Sequence, residues 1–128
     1  MRAVSIDKAP EIPWRPGYRN FILAGKDQGV GCVAALHVIE PGHGAPLHLH
    51  RGADEIFILL EGTLEMRIGD QDLRVEANQS IAIPAGVPHR FKAVGHGPVR
   101  MFAFMPLSGN FADTAVYLEG EPPAVARG

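Results

Sequence analysis

The chain has 128 residues, a length that suits one domain with a hydrophobic core of its own. Hydrophobic residues make up 46% and charged residues 20%, which is typical of a globular protein rather than a disordered one. The 12 basic and 14 acidic residues give a formal net charge of −2 without any basic run, so we expect neither nucleic acid nor an anionic membrane surface as a partner.

Residues 1–18 contain Pro10, Pro13 and Pro16, which exclude a helix and favour an extended N-terminal arm. The arm lacks the apolar stretch of a signal peptide, and no apolar run in the chain approaches the ~20 residues of a membrane-spanning helix. The single cysteine, Cys32, fits a reducing compartment. We therefore expect a cytoplasmic protein without membrane contact, and a homodimer in which the arm pairs across a two-fold axis.

Short apolar or alternating segments follow the arm, separated by turns rich in Gly, Pro and Asp. Their pattern predicts about eight or nine strands, at residues 21–24, 30–40, 47–50, 55–60, 63–68, 72–76, 80–83, 89–94 and 99–105. Many short strands at even spacing are typical of an all-β sandwich or barrel, which we place at residues 19–107. For residues 108–128 we predict at most a short helix within 110–118, followed by a frayed tail.

Four side chains in this pattern are suited to binding a metal. His48 and His50 are two residues apart on one predicted strand and therefore face the same way. Glu55 begins the next strand, and His89 follows a distant turn that contains two prolines. Three neutral imidazoles and one carboxylate suit one divalent transition metal, which could be Fe, Mn, Ni, Co, Cu or Zn. Because a liganding histidine must be neutral, we expect binding to weaken as the pH falls towards about 5.

The segments around these four residues resemble two motifs of a known superfamily. Residues 42–62 match the first cupin motif, G-x5-H-x-H-x4-E-x6-G, at every fixed position. Residues 78–93 resemble the second motif, G-x5-P-x-G-x2-H-x3-N, but have Asn78 in place of the first Gly and Ala93 in place of the last Asn. Asn tolerates a left-handed backbone better than most residues, and the final position is not a metal ligand in the family pattern.

The chain is thus similar to the small, single-domain, quercetin-dioxygenase-like cupins. This resemblance implies an all-β cupin barrel, which is a double-stranded β-helix or jelly roll. It also implies a dimer and a metal held by His48, His50, Glu55 and His89.

Three functions remain open at this stage. The first is a metal-dependent dioxygenase acting on a small aromatic or enolisable substrate. Four protein ligands on an octahedral ion leave two positions open for substrate or dioxygen. Glu55 is the candidate catalytic base of this enzyme. The second is a metal-dependent isomerase, decarboxylase or lyase acting on a small oxyacid or sugar derivative. Strand alternation places no Arg or Lys inside the barrel, which counts against it. The third is a non-enzymatic module that binds a metal or a small molecule.

Four further residues are candidates for the wall of a substrate pocket. Phe57 and Leu59 alternate in step with Glu55, and Phe91 alternates in step with His89, so each should face the interior. His37 lies in a predicted strand and is placed facing the lumen. The sequence identifies neither the substrate nor the native metal.

Overall fold

A computed structural model of the chain describes residues 3–106 and 114–124. Short 3-10 turns occupy Ile6–Lys8 and Lys26–Gln28. The strands of the described residues are β1 (Glu11–Arg15), β2 (Tyr18–Ala24), β3 (Cys32–Ile39), β4 (Gly44–His50), β5 (Glu55–Glu61), β6 (Thr63–Ile68), β7 (Gln71–Glu76), β8 (Ser80–Ile83), β9 (His89–Val94), β10 (Val99–Pro106) and β11 (Ala115–Tyr117). Within these residues, no helix has the length and apolar character needed to cross a membrane.

The strands form two antiparallel sheets. One has six strands in the order β1-β2-β3-β10-β5-β8, and the other has five in the order β11-β4-β9-β6-β7. The side chains that face inward from both sheets form one hydrophobic core, whose largest members include Ile39, Phe57, Leu64 and Met101. Two facing sheets with such crossovers make a jelly roll. The all-β, single-domain jelly roll predicted from the sequence is therefore confirmed.

The motif positions that specify glycine are turns with a left-handed backbone. Gly42, Gly62 and Gly86 have φ values of 86°, 85° and 79°. Asn78, which replaces glycine at the start of the second motif, also has a positive φ of 67°. Its amide nitrogen donates to the carbonyl of Leu59 at 2.8 Å, which fixes the turn against β5. The sequence departs from the motif here, but the backbone keeps the conformation that the motif requires.

Part of the N-terminal segment, for which an extended arm was predicted, is a strand that pairs within the chain. Glu11–Arg15 forms strand β1, which pairs with β2 of the same chain, so that Arg15 lies opposite Tyr18. Strand β1 is the last strand of its sheet, and an edge strand tolerates Pro13 because a missing N–H costs least there. The pairing carries Arg15 to the inner part of the molecule instead of leaving it on a separate arm.

The C-terminal segment also differs from the prediction. Residues 110–113 of the predicted helix lie outside the described residues, and Ala115–Tyr117 forms strand β11 rather than helix. This strand pairs with β4, which places Ala115 opposite His50 and Tyr117 opposite His48. A long-range backbone pairing overrides the weak local preference for helix in this segment.

Asn78 offers a test of the turn in the second motif. Its side chain is exposed, so replacing Asn78 by Ala should act mainly through the backbone. We expect Asn78→Ala to lower the free energy of unfolding by about 1 kcal/mol, because a left-handed conformation is costly for a residue with an ordinary Cβ. Urea denaturation measures this change. Asn78→Gly is the matched control and should retain the stability of the native chain, whereas equal stability of the Ala variant would contradict the account.

Candidate metal centre

The four candidate ligands are supplied by strands of both sheets. Strand β4 lies between β9 and β11, and His48 is directly opposite His89 in the register of β4 and β9. His50 lies two residues beyond His48 on the same inward face. Glu55 is the first residue of β5 in the opposite sheet. The site therefore forms only when the two sheets close over each other.

The side chains of this set are close together and buried. The ring centroids of the three histidines are 4.3 to 5.6 Å apart, and one ligand nitrogen from each lies within 4.8 Å of the others. Glu55 Oε1 lies 3.6 Å from Nε2 of both His50 and His89. His48, His50, Glu55 and His89 each have a relative exposure of 5% or less.

In His48 and His89, a hydrogen bond at Nδ1 orients the ring so that Nε2 faces the cluster. Nδ1 of His48 lies 2.7 Å from the carbonyl oxygen of Pro46, and Nδ1 of His89 lies 3.0 Å from that of Val87. A carbonyl only accepts, so in each neutral ring the proton is on Nδ1 and Nε2 carries a lone pair. Nε2 of His89 is buried and has no hydrogen-bond partner within the described residues.

The protonation states of these groups are those of metal ligands. Burial, reinforced by the neighbouring His89, lowers the pKa of His48 to about 3. Burial also lowers the pKa of His50. For Glu55, burial acts to raise the pKa, but the adjacent His89, His50 and His37 outweigh it and the net pKa is lowered. Neutral imidazoles and a carboxylate that converge at one buried point fit a divalent cation.

A small cavity lies beside the cluster. Its volume is about 30 Å³, and its wall includes His48, His50 and Glu55. Three of the four predicted pocket residues, His37, Phe57 and Phe91, line this cavity. Leu59, the fourth predicted residue, is fully buried in the core and is not part of the wall of this cavity. Alternation along a strand predicts which face a residue is on, but not how deep it lies along the barrel axis.

Several cavity residues were not predicted from the sequence, and all of them except Ala45 come from the N-terminal or C-terminal part of the chain. They are Trp14, Arg15, Tyr18, Ala45, Ala115, Tyr117 and Pro123. The expectation that no basic residue faces inward was therefore wrong, because Arg15 lines the cavity. One sequence signal pointed to this arrangement. The dipeptide Pro16-Gly17 directly after Arg15 is a turn signal, which predicts a hairpin rather than a free arm.

Arg15 is held over the cavity by contacts with the C-terminal segment. Its Nη1 donates to the carbonyl oxygen of Glu121 at 2.6 Å, and its guanidinium lies 5.1 Å from the ring centroid of Tyr117. Tyr117 in turn stacks on His48, with ring centroids 5.0 Å apart and an interplanar angle of 18°. Nη2 of Arg15 is buried and has no hydrogen-bond partner in the described part of the chain. This nitrogen therefore lacks an acceptor among these residues, while the guanidinium as a whole also hydrogen-bonds to the side chain of Tyr117.

Comparison with protein-family models matches residues 35–105 to Cupin_2, described as a cupin domain. Among curated relatives, "Mannose-1-phosphate guanylyltransferase 2" of Escherichia coli O157:H7 is 33% identical over 75 residues, which are 59% of this chain and 16% of that protein. "Polyketide synthase CurC" of Streptomyces cyaneus is 29% identical over 92 residues, which are 71% of this chain and 58% of CurC. The chain thus spans less than two thirds of each of these relatives.

Among solved structures, the polyketide cyclase RemF from Streptomyces resistomycificus superposes with a TM-score of 0.80 at 19% sequence identity. The superposition covers 94% of this chain and 87% of RemF. At this level of identity the likeness shows a shared fold.

The histidine cluster predicts metal binding with a stoichiometry of one. After saturation with Zn²⁺ and dialysis, the native chain should retain one metal per chain. His48→Ala and His89→Ala should lower the affinity by more than about 100-fold, since removing even an outer partner of a metal ligand costs roughly 10- to 100-fold. Elemental analysis and competition with a chelator measure both quantities. His96→Ala, at an exposed histidine outside the cluster, should bind like the native chain. Equal binding by all of the variants would contradict the site.

Burial of neutral histidines predicts that the metal-free protein becomes less stable in mild acid. The pKa values of His37 and His48, about 4 and about 3, lie below the ordinary value of 6.5. As the pH falls from 6.5 towards 4, the unfolded chain therefore binds protons that the folded chain does not. Each histidine then removes up to about 1.4 kcal/mol of stability per pH unit.

Urea denaturation with a chelator at pH 7, 6 and 5 measures this slope. His37→Gln should make it shallower, whereas His96→Gln, which changes an exposed histidine, should leave it unchanged. A free energy of unfolding that does not vary over this range would show that the buried rings do not remain neutral.

Proposed function

The chain belongs to the cupin domain family, and we propose that it is a metal-dependent enzyme that enolises a small oxyacid, in a reaction of the isomerase, decarboxylase or lyase type. The observation that carries this proposal is the position of Arg15, whose guanidinium lines the same cavity as His48, His50 and Glu55. A guanidinium with an available N–H group binds carboxylates and phosphates with directional, charge-assisted hydrogen bonds. The cavity therefore offers an anion site beside the candidate metal ligands.

The metal ligands of the proposal are His48, His50, His89 and Glu55. A divalent metal held there supplies Lewis acidity, which polarises a carbonyl oxygen. The surrounding chain keeps His48 and His50 neutral through burial, and it orients the rings of His48 and His89 through the carbonyls of residues 46 and 87. Because Glu55 is kept ionised, it can serve as a ligand or, once displaced by substrate, as the base that accepts a proton.

The distance between Arg15 and the candidate metal ligands limits the size of the substrate. Arg15 and His48 each lie about 5 Å from the Tyr117 ring, so the guanidinium is within about 10 Å of the His48 ring. The cavity itself holds about 30 Å³, which is enough for only a few atoms. We therefore propose that the reacting carbonyl end enters the cavity and that an anionic group several bonds away binds Arg15.

Two relatives support carbonyl chemistry of this class. CurC is named a polyketide synthase and RemF is described as a polyketide cyclase. Polyketide chains carry carbonyl groups that enolise readily. A site that polarises a carbonyl and binds an anion is suited to substrates with the same functional groups.

A dioxygenase is the second candidate, and the aromatic wall of the cavity favours it. Trp14, Phe57 and Phe91 line the cavity and give it an apolar surface that suits an aromatic substrate. The same wall would exclude bulk water from a reactive intermediate. We rank this candidate second because it gives Arg15 no role.

Exchange of hydrogen for deuterium tests the first candidate directly. Zn²⁺- or Ni²⁺-loaded protein in D₂O, without dioxygen, should accelerate exchange of the protons next to the ketone of 4-oxopentanoate, 2-oxoglutarate or benzoylacetate. Arg15→Gln should raise the KM of the acid that exchanges by roughly 10- to 100-fold, because it removes hydrogen bonds to a charged group. Proton NMR measures the exchange rate.

Two controls show whether the change in KM comes from the interaction between Arg15 and the carboxylate of the acid. The methyl ester of the same acid should bind almost equally to the native chain and to Arg15→Gln. Arg19→Gln, which changes an exposed arginine on the neighbouring strand β2, should behave like the native chain. If no acid exchanges, and Fe²⁺-loaded protein instead consumes dioxygen with aromatic substrates, the dioxygenase is correct. If neither reaction occurs, the protein is a binding module.

A further inference from the structure

Three buried polar side chains inside the barrel have no role in the proposed function. They are Tyr18, His37 and Asn20, with relative exposures of 3%, 2% and 0%. Tyr18 and Asn20 are two residues apart on β2 and therefore share a face, and Asn20 lies directly opposite His37 in the register of β2 and β3. Tyr18 and His37 both line the cavity beside the metal ligands.

Among the described residues, the Tyr18 hydroxyl hydrogen-bonds to His37 and accepts a hydrogen bond from the side chain of Trp14. Tyr18 Oη lies 2.6 Å from His37 Nδ1. Nε2 of His37, and both the oxygen and the nitrogen of the Asn20 amide, are buried without a partner among the described residues. Leaving a buried polar atom unpaired costs about 1–3 kcal/mol, so three such atoms on neighbouring residues are improbable without a further group.

A buried water is the simplest group that can satisfy this set. Side chains directly opposite each other in an antiparallel pair have Cβ atoms about 4.5–5.5 Å apart, so the Asn20 amide and the His37 ring are neighbours. An internal water typically makes about three hydrogen bonds to polar groups that are otherwise unpaired. One that accepts from the amide nitrogen of Asn20 can donate to its amide oxygen or to Nε2 of His37.

We infer that a water held by Asn20 donates to His37 Nε2, that His37 Nδ1 donates to Tyr18 Oη, and that Tyr18 thereby directs its own proton into the cavity as the general acid of the site. Each hydrogen bond fixes the next, because a His37 ring that accepts at Nε2 must carry its proton on Nδ1. Tyr18 is then the catalytic residue, and His37 and Asn20 are positioning residues. The inference deepens the proposed function and rests on it for the identity of the reaction.

Each proton that moves in this step has a donor and an acceptor. As the base removes a proton from the carbon next to the carbonyl, the Tyr18 O–H bond breaks and a new O–H bond forms on the carbonyl oxygen. The phenolate that remains accepts the His37 Nδ1–H hydrogen bond. When the enol returns to the ketone, its hydroxyl proton goes back to Tyr18, so no oxidant or reductant is needed.

The ionisation of both groups is compatible with these roles. Burial raises the pKa of Tyr18 well above its ordinary value, so the hydroxyl keeps its proton at neutral pH. Burial lowers the pKa of His37 to about 4, so the ring is neutral and exists as one of two tautomers. The direction of the Tyr18 hydroxyl therefore depends on which ring nitrogen of His37 carries the proton.

Nitrogen NMR of the Zn²⁺-loaded protein, labelled with ¹⁵N-histidine, reads that position at pH 7 without any substrate. The His37 signals are assigned by their absence from His37→Gln. We expect the proton on Nδ1, and we expect Asn20→Leu, which has a similar shape but cannot hold the water, to move the population towards Nε2. A proton on Nε2 in the native chain would overturn the inference, because Tyr18 would then donate to His37 and not to the cavity.

Steady-state kinetics test the role of Tyr18 as the general acid. With the oxyacid that the native chain exchanges, Tyr18→Phe should lower kcat by roughly 100-fold or more and leave KM nearly unchanged, which is the signature of a lost acid rather than of lost binding. An unchanged kcat would overturn the role of Tyr18. If the native chain exchanges none of the acids, it is the proposed function that fails, and the tautomer measurement alone decides the arrangement of Asn20, His37 and Tyr18.

Discussion

The structure depends on one electrostatic constraint, which is the convergence of hydrogen-bond acceptors at a buried point. Nε2 of His48 and Nε2 of His89 carry lone pairs there, and the Glu55 carboxylate lies 3.6 Å from the nearest ring nitrogens. Acceptors without a donor repel one another, and burial removes the water that would otherwise separate them. A cation relieves this repulsion. Since Glu55 belongs to one sheet and the histidines to the other, a bound cation would also link the two sheets.

A second unpaired nitrogen in the same interior calls for a different partner. His37 resembles the cluster histidines in being buried and neutral, but it lies directly opposite Asn20 in the register of β2 and β3, and its Nε2 has no hydrogen-bond partner among the described residues. A water can donate to that nitrogen and accept from the Asn20 amide. The chemical difference between the two positions thus lies in the residues around each ring and not in the histidine itself. One part of the interior is suited to activating a carbonyl, and the other is suited to delivering a proton.

The sequence predicts best the parts of the site that depend on local geometry. His48 and His50 share a strand face because residues two apart must do so, and Asn78 has the left-handed backbone expected of a residue in place of glycine. The sequence does not predict the contribution of Tyr117, because strand β11 reaches the cavity by pairing with the distant strand β4. Arg15 is brought there by the local hairpin of β1 and β2, for which Pro16-Gly17 is the turn signal. The spacing of the cupin motifs predicts the ligand set, but Arg15 and Tyr117, which also line the cavity, lie outside both motifs.

Anomalous diffraction from crystals of the metal-loaded protein tests the central claim most directly. The account predicts one strong peak per chain, about 2.0–2.2 Å from Nε2 of His48, His50 and His89 and from a carboxylate oxygen of Glu55. It also predicts that Nδ1 of His48 and Nδ1 of His89 keep the hydrogen bonds to the backbone carbonyls of Pro46 and Val87. A fully loaded protein with its metal bound elsewhere, or through the Nδ1 atoms after rotation of the rings, would contradict the account.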